Sequence, residues 1–279
     1  MVDILKGYIT KKLKDYKKSH KIKTLFSFYV IICTGGCMKS INLDKVNYIQ
    51  YGNDKGEDII LLHGWGQNIQ MMEPLGNLLS SKYHITILDF PGYGESTEPD
   101  EVWGVSDYAL MVHELVEKLK IKKPTLIGHS FGGRVAICYA AKYEVSKVVL
   151  FGAPCVRTKK GLTLKEKMLK QAKKLPGMGK IAEIAKNYIG SEDYKNATPR
   201  MREILVKTVN EDLSEYAKKI TVPTLLIWGE NDEAAPLEEA KLLEQLLVDG
   251  ALIILTGTHY AYLENLNQVI NIINKFMEG

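Results

Sequence analysis

The chain has 279 residues, with 46% hydrophobic and 25% charged side chains, which is ordinary for a globular protein and enough to bury a large core. Its net charge of +4 is uneven: residues 1–37 hold eight lysines against two aspartates, a net +6, which leaves about −2 for the rest. The basic balance therefore belongs to the leader and gives no sign of nucleic-acid binding, and four cysteines without metal-ligand spacing exclude a disulfide framework and suit a reducing cytoplasm.

Residues 1–37 read as a basic and apolar leader outside the fold. A lysine-rich opening precedes an uncharged run of 15 residues, 24–38, which is shorter than the roughly 18–20 needed to span a bilayer. Three readings stay open for it. It is an extraneous or disordered leader, a signal-type segment, or untranslated sequence ahead of a start at Met38. Thr34-Gly35-Gly36-Cys37 loosely resembles a lipoprotein cleavage box, but carries Thr where such boxes carry Leu. A cytoplasmic protein is expected, and membrane contact or export arises only through residues 1–37.

From residue 46 onward, strand patterns alternate with helix patterns. A strand over 46–51 leads through the turn Asn53-Asp54-Lys55-Gly56 into the wholly apolar strand 58–62, of the kind buried on both faces. That strand ends in His63-Gly64-Trp65-Gly66. The next, 83–88, ends in Asp89-Phe90-Pro91-Gly92-Tyr93-Gly94-Glu95-Ser96, read as mainly structural with some rim contact. A helix over 105–119 follows, with Ser106 and Asp107 as cap residues. A strand at 124–127 then meets a helix starting near 134 across Gly128-His129-Ser130-Phe131-Gly132-Gly133. Further strands fall at 147–151, 224–228 and 252–255, and the pattern predicts an α/β fold with a mostly parallel central sheet covered on both faces. Between 155 and 219 the alternation stops. Sixteen Lys/Arg against eight Asp/Glu and no strand-like run give an inserted helical lid, with the core formed by 38–154 and 220–279.

Ligands of open parallel sheets bind at the carboxyl ends of the strands, where every conspicuous motif falls. Gly-x-Ser-x-Gly between a strand and a helix is the setting of a nucleophile elbow: the turn strains its central residue, and flanking glycines keep side chains away from the hydroxyl. By itself the pentapeptide serves equally as a tight turn. A serine also needs a base and a group to orient that base, and candidates stand at other strand ends, Asp232 after Trp228 and His259 after Gly257-Thr258.

In the order and spacing of these four elements, residues 46–278 resemble the α/β-hydrolase fold family. The resemblance implies a triad of Ser130, Asp232 and His259, oxyanion donors in the backbone N–H groups of Trp65 and Phe131, and pocket contributions from His63, Gly64 and His129. It implies no metal or organic cofactor, and a small-molecule acyl substrate as the partner. Glu230 reads as a solvated neighbour of Asp232. Relatives that use an aspartate nucleophile, the dehalogenases and epoxide hydrolases, are disfavoured by Ser130. The expected activity is hydrolysis of a carboxylic ester, lactone or thioester. The alternatives are acyl transfer or carbon–carbon bond hydrolysis on the same triad, and a ligand-binding member without chemistry.

Overall fold

In a computed structural model, residues 29–34, 37–156 and 197–279 are described, and they fall into two units divided between Asp44 and Lys45. The first contains two antiparallel strands, Tyr29–Thr34 against Cys37–Asn42, the first in the expected leader and the second mostly in residues expected to belong to the core, where the sequence pattern predicts neither. The rest of that leader lies outside the described residues. Among the described residues no helix is long and apolar enough to cross a membrane.

The second unit, Lys45–Gly279, is built on seven strands: β1 Tyr48–Gly52, β2 Asp58–Leu62, β3 His84–Leu88, β4 Thr125–His129, β5 Val148–Phe151, β6 Thr224–Gly229 and β7 Gly250–Leu255. They lie in the order β1-β3-β2-β4-β5-β6-β7. All neighbours run parallel except β1, which pairs antiparallel with β3 at the sheet edge. The uninterrupted apolar runs seen in the sequence are the central strands: Ile59, Leu61, Leu62, Leu126, Ile127, Val149 and Leu226 are fully buried, because helices cover both faces. This is the α/β-hydrolase fold.

The helices are α1 Ile69–Leu79, α2 Val105–Leu119, α3 Phe131–Ala140, α4 Pro199–Asn210, α5 Ser214–Ala217, α6 Leu237–Leu246, α7 Ala261–Glu264 and α8 Leu266–Glu278. Helix α1 spans a stretch in which the sequence reading placed no element. It carries Pro74 and forgoes one helical hydrogen bond there, and the burial of Ile69, Met72, Leu75 and Leu79 holds it on the sheet. The start of α2 also differs from expectation. Gly104 is the N-cap, its N–H donating to Asp107 Oδ2 at 2.8 Å, so Asp107 does cap. Ser106 instead lies inside the helix, with Oγ 3.2 Å from Tyr216 Oη and 3.3 Å from Cys138 Sγ.

The expected lid, 155–219, lies largely outside the described residues, at 157–196. The described part of that range after the gap, 197–219, carries α4 and α5 and docks on the core through a buried arginine. Arg134 in α3 donates to the carbonyls of Thr208 (2.8 Å) and Glu211 (2.6 Å) at the C-terminal end of α4, and to that of Pro154. The last carbonyls of a helix lack the usual i+4 partners, Thr208 O being met in the main chain only by Glu211 N–H at 3.2 Å, and a cation suits the negative end of the helix dipole. Glu211 in turn accepts from the first N–H of α2, at 3.2 Å from Val105 N.

The fold brings α3 unusually close to the sheet. A Cβ on Gly132 would sit 2.2 Å from Leu62 O, 2.5 Å from Leu62 C and 2.7 Å from His63 O, all main-chain atoms that cannot swing aside. Gly132→Ala is therefore expected to cost about 1–3 kcal/mol of stability, as overpacking does, read as a lowered urea midpoint. An unchanged midpoint would show that the helix can slide off β2.

Candidate active site

Ser130 is the residue that turns β4 into α3. Its φ of +50° and ψ of −111° place it outside the regions an L-residue normally occupies, and Lys120 is the only other described non-glycine residue with positive φ. The strain is held on both sides. Ser130 N–H donates to Phe151 O of the neighbouring strand at 2.8 Å, and its own carbonyl accepts from Arg134 N–H at 3.2 Å. The side chain is left half-buried at the N-terminus of α3, where partial positive charge collects.

Asp232 and His259 come together across the ends of β6 and β7. His259 Nδ1 lies 2.8 Å from Asp232 Oδ2, and the carboxylate side chain is completely buried. Its second oxygen accepts from Ala234 N–H (2.9 Å) and Ala235 N–H (2.8 Å), so the buried charge is fully hydrogen-bonded. The carboxylate can only accept, so His259 carries its proton on Nδ1 and keeps the Nε2 lone pair free for a partner. Trp228 steadies the acid loop through Nε1–H to Ala235 O at 2.7 Å, and Glu264 steadies the histidine loop by accepting from Thr258 N–H (2.8 Å) and Thr258 Oγ (2.6 Å). Glu230 and Glu233 are exposed beside this pair.

Gly152 connects the pair to Ser130. It follows Phe151, the residue that accepts from Ser130 N–H, and has φ of +49°. A Cβ there would stand 2.9 Å from Asp232 Oδ2 and 3.0 Å from His259 Nδ1. Only a bare backbone leaves the carboxylate–imidazole contact its space.

Trp65 and Phe131 face each other with ring centroids 5.4 Å apart and planes at 82°. Phe131 is the first residue of α3, so its N–H has no helical acceptor, and among the described residues none is bonded to Trp65 N–H either. The rings belong to a chain of edge-to-face contacts with Tyr93 (5.2 Å from Trp65), Phe90 and Tyr108 (5.4 and 5.0 Å from Phe131). This packing fixes the loop after β2 against the loop after β3. A cavity of about 280 Å³ opens beside it, lined by Trp65, Gly66, Gly92, Tyr93, Glu98 and Met201 among others. Gly92 and Tyr93 of the 89–96 loop border this cavity.

The two histidines expected at the pocket do not line this cavity; both are fully buried. His63 accepts from Phe90 N–H at Nε2 (2.9 Å), so Nδ1 donates to Gly64 O (2.7 Å), and both nitrogens are consumed in joining two loops. Burial pushes its pKa down to about 4, against smaller opposing effects of the Gly64 carbonyl and the Asp89 charge. His129 is pushed down to about 3, by burial first and by the neighbouring His259 second. Gly64, the third expected contributor, donates its N–H to Gln67 Oε1 at 2.9 Å.

Asp89 is buried as well, with Oδ1 accepting from Ile69 N–H (2.7 Å) and Oδ2 from Asn47 Nδ2 (2.8 Å) and Glu95 N–H (2.9 Å). Among the described residues no group of three or more His, Cys, Asp or Glu side chains is arranged to hold a metal ion. Cys138 and Cys155 are buried free thiols, Cys155 pushed up to about 12 by burial.

Comparison with known proteins agrees with this architecture. Residues 59–182 match a family model described as alpha/beta hydrolase fold. The chain is 26% identical to Lipase 3 of Moraxella sp. over 268 residues, covering 87% of this chain and 85% of the relative. It is 23% identical to a pimeloyl-(acyl-carrier protein) methyl ester esterase of Aliivibrio fischeri, over 80% of this chain and 94% of that protein. Among solved structures, an esterase from Exiguobacterium antarcticum superposes with a TM-score of 0.67 at 25% identity, covering 84% of this chain and 96% of that one.

The buried histidines make a pH prediction. With folded pKa values of about 4 and about 3 against an ordinary value near 6.5, the unfolded chain binds more protons below pH 6.5. Stability is therefore highest above that pH and falls as the solution is acidified, by up to about 1.4 kcal/mol per pH unit for each histidine. Urea midpoints at pH 7, 6 and 5 should decline accordingly, and a flat profile would contradict neutral burial.

Proposed function

We propose that the chain is a member of the α/β-hydrolase fold family, whose fold it has, and that it hydrolyses a small-molecule carboxylic ester, lactone or thioester through an acyl-enzyme on Ser130. Relatives named lipase and methyl ester esterase support a carboxylesterase-like hydrolase. The observation that carries the mechanism is the 2.8 Å contact between His259 Nδ1 and the buried, fully hydrogen-bonded Asp232, packed against Gly152, the residue after the Phe151 that accepts from the strained Ser130.

Ser130 Oγ attacks the acyl carbon while His259 Nε2 takes its proton. The imidazolium that results keeps Nδ1–H on Asp232, whose burial strengthens the charge-assisted bond. The carbonyl oxygen becomes an oxyanion and accepts from the N–H groups of Phe131 and Trp65, which need no reorganisation because aromatic packing holds their loops. His259 returns the proton to the departing alcohol or thiol, leaving the acyl group on Ser130. A water then enters, loses its proton to His259, attacks the ester and releases the acid, and the proton goes back to Ser130.

The test is labelling by a fluorophosphonate probe together with turnover of p-nitrophenyl esters. Wild-type protein should incorporate the probe at Ser130, and Ser130→Ala should lose labelling and at least about a thousandfold in kcat. Absence of labelling in folded wild-type protein would remove the acyl-enzyme. Gly152→Ala forces a methyl group against both Asp232 and His259, and should lower kcat about tenfold or more with little change in KM. Wild-type kcat in that variant would show that the pair tolerates displacement.

A further inference from the structure

The contact with Asp232 fixes the ring of His259, but a different contact fixes the backbone that carries it. His129, the last residue of β4 and the one before Ser130, lies with Nε2 3.1 Å from the main-chain oxygen of His259. Its ring is enclosed by Tyr262 (4.9 Å), His259 (4.7 Å) and Tyr260 (5.3 Å) and is fully buried. A carbonyl oxygen only accepts, so the proton of the neutral ring is on Nε2 and Nδ1 holds a lone pair.

That lone pair faces Gln67, whose Oε1 is 3.2 Å away. Gln67 sits in the loop after β2. Its Oε1 accepts from Gly64 N–H at 2.9 Å and its Nε2 lies 3.3 Å from Tyr260 Oη, on the residue after His259. With Oε1 turned inward the amide serves Gly64. With NH2 turned inward it serves His129 Nδ1. Oε1 inward sets two lone pairs against each other at 3.2 Å, so the chain from His259 through His129 to the loop carrying Trp65 requires NH2 inward, at the loss of the Gly64 contact.

An aromatic hydrocarbon in the His129 slot would pack against the same tyrosines without the cost of burying an imidazole. What the imidazole adds is the N–H directed at His259 O. We propose that His129 is a positioning residue for the base, and that Gln67 extends its hold to the oxyanion loop, so that one hydrogen-bonded chain sets the base and the Trp65 amide in a common frame around Ser130. The inference rests on the triad reading of Ser130, Asp232 and His259.

Three variants test it. His129→Phe keeps a buried ring and removes the donor. His129→Gln restores a donor at about the reach of Nε2. Gln67→Leu cuts the chain from the half-exposed end without touching the buried histidine. With a p-nitrophenyl ester that the wild type turns over, His129→Phe should lower kcat about 10- to 100-fold, the scale of a small misplacement of a catalytic group, with KM within about twofold. Fluorophosphonate labelling of Ser130 should slow in parallel. His129→Gln should recover most of kcat, and Gln67→Leu should lower it several-fold in the same direction, again with KM little changed.

A purely structural role predicts instead lower melting temperatures with wild-type kcat in the folded fraction, and that result overturns the proposal. So does His129→Gln when it folds but turns over no faster than His129→Phe. If His129→Phe does not fold, Gln67→Leu decides, and wild-type kcat in that variant counts against the chain. Failure of the wild type to label removes the triad and this inference with it. Normal labelling with unaffected variants removes this inference alone.

Discussion

Everything at the carboxyl edge of the sheet is referenced to the place where α3 rests on β2. Gly132 lies against the carbonyl groups of Leu62 and His63 with no room for a methyl group. That backbone-on-backbone contact sets how far the helix start overhangs the sheet, and so where Ser130 and the Phe131 amide stand. It also explains the positive φ of Ser130: with the helix pinned to β2 and the strand pinned in the sheet, one residue must absorb the change of direction. The strain is supported from outside, by Phe151 O on one side and the helix on the other.

Around this fixed point the side chains divide into those that face substrate space and those that hold the loops. The second group is larger. His63 joins the loops after β2 and β3. Asp89 ties the β3 loop to the start of α1 and to Asn47, Trp228 braces the acid loop, and Glu264 braces the histidine loop. Each does so by satisfying main-chain donors or acceptors that a turn at a strand end leaves without ladder partners. The loops at this edge of the sheet are thus held by hydrogen bonds of their own.

The division also decides what could be read from the sequence. Apolar runs such as 59–62 mark central strands directly, since burial on both faces removes any alternation, and the motifs Gly128-His129-Ser130-Phe131-Gly132, Asp232 and His259 fall at their ends because short loops there have few positions. The loop-holding residues carry no comparable signal. Gln67 meets Tyr260 across 193 positions, Arg134 meets Glu211 across 77, and His129 meets His259 across 130. Arg134 and His129 meet main-chain atoms, which have no identity in a sequence, and Gln67 meets a tyrosine hydroxyl to which no local pattern points. For the same reason His63 and His129 read as pocket residues, since a histidine beside a glycine-rich turn looks the same whether it faces a ligand or a carbonyl. Ser106 was misplaced as a cap because Gly104 offers no side chain to announce the helix start.

Arg134 bears on how such a protein changes over time. Its guanidinium gathers the carbonyl of Pro154, where the chain leaves the sheet, and those of Thr208 and Glu211, where it returns. Leu213 N–H donating to Cys155 O at 2.9 Å closes the same gap. The segments that leave and rejoin the sheet are therefore clasped together, and the clasp sits on the helix that starts at Ser130. For a flexible chain, doubling the length between two such fixed ends costs only about 0.6 kcal/mol in closure entropy, while the clasp keeps the turn at Ser130 in place. Changes of length beyond the clasp can then accumulate without moving Ser130.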